Sequence, residues 1–293
     1  MADSTTVAAT TAAPASVDLL LEPWLVVVII VIIDFVIQWI CFPIAYGLKT
    51  EKFYDMAGSL THLTVVWVAF GLLASYRHIR CIVQSVCVSV WAVRLGIFLV
   101  YRAAKYGDKR FEEIRKSCVR FFITWTLQAV WVGCNLAPTI ASLTASATLA
   151  TPGSLEWRDY LGWSLFLIGI LTETVSDIQK SIFKAKPENN GRFIRSGLWS
   201  ISRHPNYFGE ILLWWGLAIS ASAGFHYSNE WWFWFTFVGP LLNTLLICFV
   251  SGIPLLEKSA YKRWGEDPEY QDYLKSTPVL VPLIPCPLCD FCK

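Results

Sequence analysis

The sequence predicts an all-α fold, a polytopic membrane bundle of about seven transmembrane helices. Three observations predict it. Of the 293 residues, 55% are hydrophobic and only 16% charged, with a mean hydropathy of +0.48; a soluble body of this size carries more polar surface. Apolar stretches of about 17–25 residues, the length that a bilayer core demands, recur at approximately 24–48, 57–76, 81–101, 121–142, 159–179, 208–226 and 231–255. Lys and Arg also segregate. With the N-terminus outside, the inner loops and C-terminal tail hold 20 of the 24, the outer loops hold 3, and Arg94 lies within a span. The positive-inside rule then makes the N-terminus lumenal and the C-terminus cytosolic. Arg77 and Arg80, on the outer side, are the exceptions.

Residues 1–22 are rich in Ala, Thr and Ser, contain Asp3, Asp18 and Glu22, and have no Lys or Arg. A secretory signal needs a positive start, so this segment reads as a disordered tail. Residues 23–285 form the transmembrane domain. Its 57–76 span carries Gly58, Ala69 and Gly71, small residues that permit close helix contact. The 81–101 span buries Arg94, which needs an anionic partner at that depth; Asp34, Asp55, Glu173 and Glu210 are the candidates. The segment beyond it ends in Asp108, Lys109 and Arg110. The sixth and seventh spans are only a few residues apart and are expected to form an antiparallel pair. Cys41, Cys87, Cys134 and Cys248 lie in apolar runs and read as small packed residues rather than disulfide partners. The 286–293 tail places Cys286, Cys289 and Cys292 at spacing three. Three thiols suit lipidation, but without a fourth ligand nearby a structural metal site is incomplete. The net charge of +2 and the lack of a basic run exclude a nucleic-acid partner, and no obligate protein partner is indicated.

The chemistry concentrates in three segments. Glu173, Asp177, Lys180 and Lys184 follow steps of four, three and four, which on a helix make one polar stripe. A salt-bridged helix end is the bland alternative; Glu173 argues against it, because it lies in an otherwise lipid-grade run. The following loop carries Lys186, Arg192 and Arg195 together with the flexible points Asn189-Asn190-Gly191 and Gly197, a setting that suits a phosphate. No Gly-x-Gly-x-x-Gly or Walker-type loop occurs. Arg203, His204, Asn206, Tyr207 and Glu210 then crowd against the apolar run of the sixth span. Such density of donors and acceptors points to a binding site, with an interfacial anchor as the alternative. After the last span come Glu257, Lys258, Tyr261, Lys262, Arg263, Trp264, Tyr270 and Tyr273, which suit either a site or an amphipathic surface helix.

Taken together, Glu173-x3-Asp177-x2-Lys180, Gly197-Leu-Trp-x3-Arg203-His-Pro-Asn-Tyr-x-Gly-Glu210 and Glu257-x3-Tyr261-x8-Tyr270-x2-Tyr273 resemble the steroid 5α-reductase superfamily, over roughly residues 50–285. The resemblance implies a membrane enzyme of about seven spans with NADPH in a cytosol-facing cavity and a lipid substrate arriving from the bilayer. It implies that Asp177, Arg203, His204, Asn206, Tyr207, Glu210, Glu257 and Tyr261 line the dinucleotide pocket, with the 2′-phosphate falling to Lys184, Arg192 or Arg195. The same Arg-His-Pro block is similar to isoprenylcysteine carboxyl methyltransferases and membrane amine methyltransferases, which bind S-adenosylmethionine there. The long acid–Lys stripe and Asn206 favour the reductase. A non-catalytic sterol-binding scaffold of the same fold is a third reading.

A reductase of an electron-poor C=C bond needs a hydride donor, supplied by the cofactor, and a proton or hydrogen-bond donor for the other end. The resemblance implies a Tyr–carboxylate pair from the early spans, and Tyr54 and Asp55 are the local candidates. Trp91 stands where a tyrosine is expected, and an indole donates a hydrogen bond without releasing a proton. His62 is an alternative donor, although a lone His among small residues more often packs. Tyr101 and Gln128 are further pocket candidates. The endoplasmic reticulum is the expected location of such a lipid enzyme.

Overall fold

A computed structural model describes residues 21–73, 78–106, 111–147, 153–225 and 231–282. The 1–20 tail, Arg77, Asp108 to Arg110 and the three tail cysteines lie outside them. The described residues are helical with no strands. Six helical segments are long and apolar enough to cross a membrane: α1 (Pro23–Gly47), α2 (Tyr54–Leu72), α3 (Ile79–Tyr106, apolar to Arg102), α6 (Trp157–Ala185), α7 (Pro205–Phe225), and the run from Trp231 to Trp264. That last run is composite, with a 3₁₀ segment Trp231–Phe237, α8 (Val238–Leu245), a π-helical turn Leu246–Val250 and α9 (Ile253–Trp264). The short α4 (Phe111–Ile114) and α10 (Pro268–Ser276) lie outside these spans.

The expected 121–142 span is part of α5 (Cys118–Ala147), 30 residues long, which lacks an uninterrupted stretch as apolar as those of the other six because polar residues recur along it. Gln128, Asn135, Thr139, Ser142 and Ser146 are all buried on it. The physical reason is its position, since α5 packs against α1, α2, α3, α7 and α8. Its polar groups therefore meet protein instead of lipid. Gln128 Nε2 donates to the Tyr54 carbonyl (2.9 Å), and Thr139 Oγ1 donates to Gln84 Oε1 (3.1 Å), whose own amide donates to the Leu217 carbonyl (2.8 Å). The expected count of seven thus becomes six apolar crossings around one polar central helix.

The sixth and seventh spans do meet, α7 touching both the Trp231–Phe237 segment and α8, but the most extensive helix contact joins α6 to α7, and glycines make it. A Cβ on Gly169 would stand 2.6 Å from the Gly209 carbonyl, and one on Gly162 would stand 2.4 Å from the Gly216 carbonyl; the reverse contacts are equally close. Two glycines per helix at a seven-residue interval bring the backbones together antiparallel, as small residues do in membrane helix pairs. One turn on, Glu173 follows Gly169, so this contact sets where the acid stripe lies. Gly169→Leu and Gly209→Leu are each expected to cost at least about 1–3 kcal/mol, the usual penalty of overpacking, read as a lower unfolding midpoint in detergent. Gly71, by contrast, faces open space in the same set of contacts, and replacing it with Ala is expected to change that midpoint little. Gly58 does sit tightly, against the Gln128 amide.

Consecutive crossings alternate in direction, so the bundle has two ends. At one, buried Arg80 holds Asp159 through two 2.7 Å hydrogen bonds while Glu156 and Asp159 cap α6 reciprocally. The other end collects Lys49, Lys52, Arg102, Arg115, Lys184 and the cations of the 186–203 loop. Among the described residues Cys41, Cys81, Cys87, Cys118 and Cys134 are free thiols; Cys41, Cys87, Cys134 and Cys248 are half-buried.

Candidate functional site

The loop after α6 is seated by Gly197. Its φ of +64° suits glycine, and a Cβ there would collide with the Gln179 amide at 2.5 Å. Gln179 Oε1 accepts from the Leu198 amide (3.0 Å), which lays the Gly197–Ser200 turn on α6 and sends the Trp199 indole N–H to the Ser176 carbonyl (3.0 Å). The C-terminal segment then straps this loop down. The Tyr273 hydroxyl donates to the Trp199 carbonyl (2.6 Å), the Trp264 indole to the Gly191 carbonyl (2.6 Å), the Arg203 amide to the Pro278 carbonyl (2.8 Å), and Ser202 Oγ to the Leu280 carbonyl (2.7 Å).

Between the loop, α6 and α9 lies a cleft of about 290 Å³. Five cations face it: Lys180, Lys184, Arg192, Arg203 and Arg263. Two are anchored to the protein, Lys180 with Nζ 4.2 Å from the Trp199 ring centre and Arg203 with Nη1 donating to Glu257 Oε2 at 2.6 Å. Lys184, Arg192 and Arg263 are exposed at the rim. Phe193, Trp199, Trp264, Tyr270 and Tyr273 supply an aromatic wall. Burial pushes the Tyr270 phenol up to about 12 and raises Tyr273 as well, so both remain neutral donors.

His204 shares the Glu257 carboxylate, its Nε2 lying 2.7 Å from Oε1, and stacks on Tyr207. Burial lowers its pKa below the ordinary histidine value, while the Glu257 hydrogen bond and charge pull the other way. The sign of the pH effect follows. As pH falls below about 6.5, an unfolded chain takes up a proton that the folded one resists, so stability drops until the lower folded value is passed. His204→Gln is expected to flatten that part of the stability–pH curve, measured by thermal unfolding across the acid range.

Deeper in the bundle, one guanidinium answers the partner question left open by the sequence. Arg94 on α3 forms ion pairs with both Glu173 and Asp177 on α6. Asn206 Nδ2 donates to Asp177 Oδ1 (3.3 Å), and half-buried Glu210 is within electrostatic reach of Glu173 and Asp177. Of the other proposed partners of Arg94, Asp55 pairs with Arg102 (3.5 Å) and Asp34 has no ion pair among the described residues. Asn206 Oδ1, Glu173 Oε2, His204 Nδ1 and Arg203 Nε are buried without a hydrogen-bond partner among the described residues. Buried polar atoms are rarely left so, and this grouping is what a bound polar ligand would satisfy.

The candidate residues from sequence thus divide by place. Lys184, Arg192, Arg203, His204 and Glu257 line the cleft; Asp177, Asn206 and Glu210 belong to the deeper cluster; Tyr207 stacks at the boundary. Arg195 pairs with Glu269 at 3.2 Å on the exposed surface, and Tyr261 is exposed and outside the cleft lining. The Tyr54 hydroxyl donates to the Thr124 carbonyl (3.0 Å). Arg102, which holds Asp55, also lies within electrostatic reach of Asp177 and Lys184, so this end of α2 borders the same end of the bundle. His62 is fully buried among Trp91, Trp131 and Trp214, its Nδ1 donating to the Gly58 carbonyl at 2.8 Å. Tyr101 is exposed. Lys180 and Arg263 face the cleft although the motif did not single them out as ligand-binding; Lys180 was legible as a member of the stripe. The Gly162/Gly169 and Gly209/Gly216 intervals were legible too, as a seven-residue spacing.

Over residues 41–277 the sequence matches the family described as "Protein of unknown function (DUF1295)". It is 36% identical over 90 residues to a "Probable O-methyltransferase ustE" of Ustilaginoidea virens, covering 30% of this chain and 31% of that protein. It is 34% identical over 65 residues to "Steroid 5-alpha-reductase DET2" of Arabidopsis thaliana, covering 22% and 24%. The matches therefore span less than a third of either relative. No solved structure matches.

Proposed function

The chain belongs to the DUF1295 family, and from that premise we propose a membrane-embedded, NADPH-dependent reductase of a C=C bond in a lipid, either a sterol or steroid or another enone or enoyl lipid. The observation that carries the reading is the aromatic-walled cleft with its five cations, beside a buried cluster of partnerless polar atoms. A dinucleotide with several phosphates suits both parts: Arg and Lys at the rim for the phosphates, aromatic faces for the rings, and the open acceptors on Asn206 and Glu173 for amide and hydroxyl donors. The resemblance to a steroid reductase adds weight without fixing the substrate.

In this reading Lys184, Arg192 and Arg263 gather the phosphates, and Glu257 holds Arg203 and His204 in register at the inner edge of the cleft. Arg94 compensates Glu173 and Asp177, so that Asp177 keeps Asn206 oriented. NADPH supplies the hydride. Tyr54 and Asp55 remain the proposed source of polarisation at the substrate end, which requires the Tyr54 hydroxyl to turn from the Thr124 carbonyl to the substrate, and the cationic end of the bundle faces the cytosol, consistent with the endoplasmic reticulum membrane.

The methyltransferase reading has one observation in its favour, the similarity to a probable O-methyltransferase. S-adenosylmethionine carries one carboxylate and no phosphate, however, and so leaves most of the five cations without a role. Thermal stabilisation of the detergent-purified protein by NADPH, NADH and S-adenosylmethionine separates the two. A ligand at about a hundred times its Kd adds about 2.7 kcal/mol of stability. Stabilisation by NADPH that is lost in Asn206→Ala is the expected result; stabilisation by S-adenosylmethionine alone overturns the reading.

A further inference from the structure

A second cavity, of about 160 Å³, opens between α1, α5 and the Trp231–Phe237 segment. It shares no lining residue with the cationic cleft and lies toward the opposite end of the bundle. Val27, Ile30, Leu136, Ile140 and Phe233 make it apolar, and Asp34 lines it too. Asp34 stands in the middle of a membrane-crossing helix and is 3% exposed. Its Oδ1 has no hydrogen-bond partner, and no cation pairs with the group, among the described residues. The other buried carboxylates of the helices are matched, Glu173 and Asp177 by Arg94 and Asp159 by Arg80.

Gly133 keeps this carboxyl open to the cavity, since even a Cβ there would stand 3.6 Å from Asp34 Oδ2. The two threonines of the lining have spent their protons, Thr144 on the Ile140 carbonyl and Thr236 on the Phe233 carbonyl. Their oxygens can still accept, but Asp34, a carboxyl with an open buried oxygen, is the stronger acceptor for a ligand's head. A carboxyl at that depth is costly unless something donates to it. An ammonium would suit it poorly, because stripping an ammonium of water costs more than stripping a hydroxyl and the largely apolar walls add only the two threonine oxygens as acceptors.

We infer that this cavity binds a membrane lipid with a single hydroxyl head, the hydroxyl donating to Asp34 and the apolar body lying along α1 and α5 toward the bilayer. The site does not depend on the reductase reading.

The test uses the full chain in phosphatidylcholine nanodiscs and follows the thermal midpoint with cholesterol, dioleoylglycerol, cholesteryl methyl ether or sphingosine added. A rise with cholesterol or dioleoylglycerol, absent with the methyl ether, is the expected result, and which of the two acts tells a ring lipid from a glyceride. Asp34→Leu is expected to fold with an unchanged or higher basal midpoint, because it removes an orphaned polar group, and to lose the lipid response. Gly133→Val should lose it as well by filling the cavity, with any NADPH response intact in both variants. A response to the methyl ether equal to that of cholesterol, a response to sphingosine alone, or no response to either hydroxyl lipid overturns the proposal. So does a lipid response that survives Gly133→Val, which keeps the test open should Asp34→Leu not fold.

Discussion

Replacing Arg94 with Ala is expected to destabilise the protein by about 3–5 kcal/mol, the usual cost of removing one partner from a buried ion pair. Arg94 neutralises two carboxylates, Glu173 and Asp177, both buried, with Glu210 in electrostatic reach. Without the guanidinium, these acids lie close together in a low-dielectric interior, with Lys180 and Arg102 acting on Asp177 only from a distance. Removing the whole cluster should be far milder. Arg94→Met combined with Glu173→Met and Asp177→Leu leaves only half-buried Glu210, which has Asn243 as a hydrogen-bond partner, and apolar replacements of buried ion clusters are often neutral or stabilising. Unfolding midpoints in detergent check both statements. A loss below about 1 kcal/mol in the single variant would mean that the carboxylates are already served by another group. The triple variant carries a second expectation: restored stability without NADPH binding, since Asn206 loses the Asp177 oxygen that orients it. Stability and binding then separate, as they should if the cluster serves the site rather than the fold.

The crossings were legible because lipid imposes a simple rule on composition, and long apolar runs obey it. Residue Trp24 onward and the run from Phe208 could hardly be anything else. α5 departs from the rule for a physical reason: a helix surrounded by helices can bury Gln128 and Thr139 because Tyr54 and Gln84 offer hydrogen bonds, and a single sequence does not say which helix is central. The polar stripe from Glu173 to Lys184 was readable as a stripe, since helical spacing is local. Its partner was not. Arg94 and Asp177 are 83 positions apart; Asp34, Asp55, Glu173 and Glu210 competed for the guanidinium on equal terms, and of its two partners only Glu173 was among them. Glu257 shows the same limit, because its bond to both Arg203 and His204 depends on how α9 folds back across the loop. The backbone contact of α6 with α7 had a visible signal in Gly162, Gly169, Gly209 and Gly216, yet seven-residue glycine spacing on two helices identifies an interface only once the two are known to be neighbours.

The 2′-phosphate assignment separates residues that the sequence left equal. Lys184 and Arg192 line the cleft and are exposed at its rim, while Arg195 turns to Glu269 on the outer surface. A hydrogen bond to a charged group contributes about 1.5–3 kcal/mol, or roughly a ten- to hundredfold change in Kd. Lys184→Ala and Arg192→Ala are each expected to weaken NADPH binding by about that factor, measured by titration of the purified protein. Whichever of them meets the 2′-phosphate should leave NADH affinity almost unchanged and so erase the preference between the two cofactors. Arg195→Ala removes a surface pair worth about 0–1 kcal/mol and should alter neither affinity. Raising the salt concentration should mimic the first two substitutions and not the third, since exposed charges separated from a ligand by solvent are screened. If Arg195→Ala has the largest effect, the phosphates sit outside the cleft and the reading of its five cations fails. If all three leave NADPH binding intact, the nucleotide is held by the buried cluster alone, where Asn206→Ala would then show the loss.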